Sequence, residues 1–226
     1  MSAAVALLDR LGRPGDIRLG SFRPETIARL PTGLALLDEA LGGGLPRGRI
    51  TELAGAPSAG RTGLACAIAA SATRAGETIA WVDPADAFDP EAGAAAGIAL
   101  ACTLWVRPRT VADALRAAEI VLGAGGFGLV VLDVDSARAG AAWPRLARAA
   151  ERTGSTLLVV APCREAGTFA AVGLELGVRH VRWSGGPGRR VLLEGIDARV
   201  TVARSRVGRP GQALVVRQAR SLSEWP

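Results

Sequence analysis

Apolar residues along the chain fall into short continuous runs at 50–54, 78–82, 102–106, 127–132 and 157–161, separated by segments whose apolar positions recur at helical spacing. Strands buried on both faces read as unbroken apolar runs, and their alternation with helices predicts a parallel α/β sheet. The expected helices are 34–41, a segment from Leu64, 90–97, 110–122 and 143–153. In the fourth of these, Val111, Leu115, Ala118 and Leu122 share one face. After Leu174 the pattern changes to short strands at 178–183, 190–193, 199–205 and 213–217, with a turn at 185–188, which predicts an antiparallel extension of the same sheet. Residues 1–30 are polar and interrupted by Gly12, Pro14, Gly15 and Pro24, and read as a short helix at 3–11 followed by an extended arm. The organisation expected is an arm over 1–31, a core over 32–217 and a tail over 218–226, with no separate C-terminal domain after the core.

Composition narrows the class. With 226 residues, 49% of them hydrophobic, the chain can bury a sizeable single core. No apolar run approaches the roughly 20 residues of a membrane span, and the first ten residues lack a secretory-signal pattern, so a cytoplasmic protein is expected. Cys66, Cys102 and Cys163 are odd in number and widely spaced, against a disulfide framework or a metal site. The formal charge is +6, and all 27 basic residues are arginine; lysine and tyrosine are absent. Such usage fits drift in a GC-rich genome. The basic balance makes nucleic acid or an acidic protein surface a reasonable partner.

One stretch carries chemistry. The apolar run Arg49–Ala54 leads into Gly55-Ala56-Pro57-Ser58-Ala59-Gly60-Arg61-Thr62, which has the spacing of a phosphate-binding P-loop except that Arg61 stands at the lysine position. Gly55 and Gly60 allow the tight backbone path, Ser58 lies within the loop, and the amides opening the next helix point at an anion. Thr62 is placed to ligate magnesium. Arg61 keeps the charge but brings a bulkier, planar fork with different phosphate geometry. The run 127–132 ends in Asp133, the pattern of an acid that holds magnesium through water.

Ahead of the loop, Thr32, Gly33, Leu37, Asp38, Leu41 to Leu45, Pro46, Gly48, Arg49, Ile50, Glu52, Leu53 and Gly55 follow an order that resembles the approach to a RecA-family ATPase core. The resemblance extends over residues 32 to about 217. It implies an α/β RecA-like P-loop core with a mostly parallel central sheet, flanked by helices, and an antiparallel C-terminal extension. It also implies losses. The turn after the 78–83 strand supplies a water-activating glutamate in active recombinases; here that position is Ala85, with Asp86 one residue out of register. The sensor strand, which ends in a polar residue in the recombinases, ends at Pro162 and Cys163. The two DNA-binding loops correspond to 135–142 and 164–173 and are short.

This set of absences resembles the ImuA branch, RecA-like accessory proteins of damage-induced mutagenesis. What that resemblance implies is a non-catalytic, nucleoid-associated protein. Its partners would be an inactive Y-family polymerase homologue of the ImuB type, through it an error-prone C-family DNA polymerase, and in addition RecA and DNA; no membrane is expected. Catalytic residues and resident cofactor are expected to be absent, ATP with magnesium being what the intact site would take. Candidate DNA contacts are Arg145, Arg148, Arg152, Arg179, Arg182, Arg189, Arg190, Arg204 and Arg206. The last two resemble basic residues that RecA subunits lend to a neighbour's nucleotide. Leu222 and Trp225 in the tail are candidate docking residues. Two other readings are a weakly active RecA-paralogue ATPase, with Arg61 as a working substitute, and a SulA-like inhibitor of cell division.

Overall fold

The structure, a computed structural model, describes residues 27–135, 140–185, 192–206 and 210–219. The expected helix at 3–11, Arg189, Arg190, Leu222 and Trp225 lie outside the described residues.

The chain opens with β1 (Arg29–Leu30), α1 (Ala35–Leu41) and β2 (Leu45–Pro46), β1 and β2 pairing as a small antiparallel ladder. Next come β3 (Ile50–Gly55), α2 (Arg61–Arg74), β4 (Ile79–Val82), α3 (Pro90–Ala95), β5 (Thr103–Val106) and α4 (Val111–Ala124). The remainder is β6 (Leu129–Asp133), α5 (Trp143–Thr153), β7 (Thr156–Ala161), β8 (Ala170–Ser184), β9 (Leu192–Ser205) and β10 (Ala213–Ala219). Eight strands form one sheet in the order β10-β9-β8-β3-β7-β6-β4-β5. From β8 to β5 neighbouring strands are parallel; β9 and β10 add antiparallel to β8. The architecture is therefore the mixed α/β one that the pattern predicts.

Two cores explain the continuous apolar strands. On one face Leu53, Trp81, Leu129, Val131, Leu158 and Val160 pack with Leu64 and Ile68 of α2 and with Leu37 and Leu41 of α1. On the other face Ile50, Val82, Val130 and Val159 pack with Ala118 and Leu122 of α4 and Leu146 and Ala150 of α5. A strand with helices on both sides has no polar face to show. The helix α5 divides accordingly: Trp143, Leu146, Ala149 and Ala150 are buried, whereas Arg145, Arg148, Glu151 and Arg152 are exposed.

Much of the approach to the loop is explained by packing. Asp38 Oδ1 accepts from the Thr32 amide at 2.8 Å and from Thr32 Oγ1 at 2.7 Å, which ties the start of α1 to the preceding chain. Gly42 closes α1 in the left-handed conformation, and Leu30, Leu37, Leu41 and Leu45 are fully buried. Two starting caps are also legible: Asp89 accepts from the amides of Glu91 and Ala92 ahead of Pro90, and Thr110 Oγ1 from Asp113.

The extension differs from the expectation in its strand lengths. Part of the segment read as the loop 164–173 is strand, because β8 begins at Ala170 and runs parallel to β3 as far as Leu176. The pieces read as 178–183 and 199–205 are the ends of two long strands. Shifts in register at Gly173/Leu174, Val178/His180 and Arg182/Trp183 break the period-two alternation and so hide continuous strands from a pattern reading. Beyond Leu176, β8 pairs among the described residues with β9 alone.

Candidate nucleotide site

The loop lies where β3 leaves the sheet, between the ends of β8 and β7. Gly60 caps α2 in the left-handed region with φ 91°, and Ser58 also takes a positive φ of 63°. Gly55 is held by a close approach. A Cβ there would stand 2.8 Å from the Leu176 carbonyl and 3.2 Å from Ala59 Cβ. Its lack of a side chain is thus required by the packing of β3 on β8, with or without a ligand.

Asp133 stands at the end of β6. Its carboxyl is pushed up to about 6, first by burial and then by the neighbouring Asp83 and Asp135 carboxylates, while Arg61 pulls in the opposite direction. Burial, with Asp133 adding to it, pushes the Cys66 thiol on α2 up to about 11. Asp83 is buried; its Oδ2 accepts from the Phe88 amide at 2.7 Å and its Oδ1 has no hydrogen-bond partner among the described residues. Thr62 is exposed on the first turn of α2. Arg61, Thr62 and Asp133 are groups of the right kind for a phosphate and its magnesium ion, with the arginine fork as the departure.

At the two further positions that the resemblance singles out stand Ala85 and Cys163. Ala85 is exposed and offers no proton acceptor. The adjacent Asp86, at φ 55°, is turned to the edge strand, where both its oxygens accept from Arg107. That bond holds the Asp86 carboxyl below its ordinary range, and the Arg107 guanidinium stacks 4.6 Å over the Trp105 ring. Past β7, Pro162, Cys163 and Arg164 line a cleft of about 270 Å³ with Gly55 and Leu176. Cys163 Sγ lies 3.6 Å from Glu165 Oε1. Among the described residues no group of three or more His, Cys, Asp or Glu could hold a metal ion.

The candidate DNA arginines occupy several places. Arg145, Arg148 and Arg152 lie on the outer face of α5, with Arg145 3.1 Å from Glu119. Arg182 lies 3.3 Å from Asp197. Arg204 donates to the Gly167 carbonyl at 2.7 Å. Arg206 lines a cavity of about 260 Å³ with Ala147, Glu151 and Phe169, next to α5. Arg179, exposed on β8, is six residues along the strand from Gly173, the pairing partner of Arg204, a separation of about 20 Å. Sequence reading gave Asp83 and Arg107 no role, and Glu52 none beyond its place in the family pattern. A single acid inside the apolar run 50–54 was the signal available for Glu52.

Comparison with known proteins gives this geometry a lineage. The RecA N-terminal domain family matches residues 1–145. The chain is 41% identical over 135 residues to Protein RecA of Clavibacter michiganensis subsp. michiganensis, covering 59% of this chain and 37% of that protein. It is 39% identical over 132 residues to Protein RecA of Leifsonia xyli subsp. xyli, covering 58% and 37%. The chain thus spans well under half the length of these relatives. The crystal structure of the RadB recombinase superposes with a TM-score of 0.65 at 19% identity, covering 85% of this chain and 97% of that one, a likeness of fold.

Proposed function

The chain belongs to the RecA N-terminal domain family, and from that premise we propose that it is a non-catalytic RecA-like accessory protein of damage-induced mutagenesis, acting through binding. Its partner in this reading is an inactive Y-family polymerase homologue of the ImuB type, and through it an error-prone C-family polymerase, at the nucleoid. RecA and DNA are further partners. The observation that carries the reading is the turn after β4. Ala85, exposed in that turn, stands where the resemblance to active recombinases would put the water-activating acid, and the nearby carboxylate, Asp86, is bound to Arg107. In this reading the contribution of a general base, on the order of a hundredfold or more, is lost while the fold is kept.

Two measurements test it. Equilibrium binding of the full chain to the ImuB-type homologue should be saturable, and deletion of 218–226 should weaken it if the tail docks. Capture of the division tubulin in place of a polymerase homologue would instead favour the SulA-like reading.

A second reading has one observation in its favour: Arg61 and Asp133 still interact electrostatically at the loop. A residual ATPase predicts saturable binding of a labelled ATP analogue and phosphate release above blank, both lost in Thr62→Ala and Asp133→Ala. Absence of saturation at millimolar ligand removes this reading.

A further inference from the structure

The connection from β7 to β8, residues 162–169, starts beside the loop at Gly55 and returns to the opposite end of the sheet, where Ala170 pairs with Ile50. It carries Cys163 and Arg164, which line the cleft beside Gly55. At its far end are Thr168 and Phe169, which share a cavity with Arg206. A crossing segment of this kind has little secondary structure of its own, a single 3-10 turn at Gly167–Phe169. Its position must therefore come from contacts to the sheet.

Three such contacts are present, from three different strands. Glu52 of β3 is 3% exposed, and its Oε1 accepts from the amides of both Glu165 and Ala166, each at 2.6 Å. Arg164 lies 2.9 Å from Glu175 of β8. Arg204 of β9 donates to the Gly167 carbonyl at 2.7 Å. A buried carboxylate that accepts two backbone amides is a strong, charge-assisted anchor, and without those amides it would be left buried and unsatisfied. Glu52 and the segment consequently hold each other in place. None of the three anchors includes a group of the phosphate-binding loop.

We infer that the 162–169 segment is latched constitutively, with buried Glu52 as its positioning residue and Arg164 and Arg204 as outer staples, so that its conformation is set without any ligand at the neighbouring loop. The two ends of the segment are thereby presented as fixed surfaces. Arg204 is employed inside the molecule, and neutralising it loosens the segment at Gly167. This inference does not depend on the identity of the partner proposed above, and a failed partner-binding assay leaves it standing.

The test is hydrogen exchange of the full-length chain, read at the amides of Glu165 to Phe169, with and without magnesium and a slowly hydrolysed ATP analogue. The wild-type amides of Glu165 and Ala166 should be protected without nucleotide and change by less than about twofold when it is added. Glu52→Ala should speed their exchange by about tenfold to a hundredfold, the population change expected from losing hydrogen bonds to a charged acceptor. Should Glu52→Ala fail to fold by circular dichroism, Glu52→Gln and Arg204→Ala give the reading, with thermal melts separating local opening from global loss. Protection that develops only with nucleotide overturns the inference. So does exchange within twofold of wild type in both folded variants.

Discussion

Asp133 carries the clearest electrostatic consequence of burial beside like charges. Its carboxyl rises from an ordinary 3.8 to about 6 in the folded chain, so the folded state holds a proton that the unfolded state has lost. Through this window stability falls as pH rises, and above about pH 6 the buried charge is a standing cost. Asp133→Asn is therefore expected to stabilise the chain at pH 7.5 by up to about 2 kcal/mol, with the gain shrinking towards pH 4.5. Urea unfolding in a chelator at both pH values checks this; a loss of stability at pH 7.5 contradicts it. Arg61 is a different case, because every one of the 27 basic residues of the chain is arginine. Under the proposed function Arg61→Lys alone should leave phosphate release at the blank level, since Ala85 and Cys163 are unchanged; release clearly above blank would show that the arginine was the only defect.

Among the elements, β3 joins two roles that look alike in sequence. Gly55 reads as a phosphate-loop glycine, yet the Leu176 carbonyl of β8 stands 2.8 Å from where its Cβ would be. Gly55→Ala should accordingly destabilise the fold by about 1–3 kcal/mol, through overpacking between two strands, in nucleotide-free protein. A melting temperature equal to wild type would mean that β8 relaxes at no cost. The same caution applies to Thr32, Asp38, Leu37 and Leu41. Their pattern points to the family, but their contacts are a helix start and a core. Retention of the pattern is thus explained by folding and carries no information about ATP.

For the molecule as a whole, a formal charge of +6 makes encounter with nucleic acid a matter of electrostatics. Arg148, Arg152, Arg179 and Arg206 have exposed side chains, while Arg182 and Arg204 make internal contacts. If the protein binds DNA, affinity should be independent of base sequence and fall steeply with salt. Arg206→Ala should lower the log–log slope by about 1, whereas Arg182→Ala should act mainly on the fold of the extension. Affinity that does not change between low and moderate salt removes DNA from the partners proposed.

The layered α/β plan and the glycine-rich turn from Gly55 to Thr62 between a strand and a helix were readable from residue order. Parallel strands with helices on both faces must be continuously apolar, and a phosphate loop has a local, contiguous spacing. Long-range pairing was not readable in this way. The register shifts along β8 conceal two long strands behind what look like short ones, and β1 becomes visible only when Leu45 and Pro46 return to pair with it. The engagement of Asp86 by Arg107, the charge crowding on Asp133 and the capture of two distant amides by Glu52 depend on side chains brought together across the sheet. Local sequence sets which way each strand and helix buries its apolar groups; only the closed sheet decides which polar group each buried charge will meet.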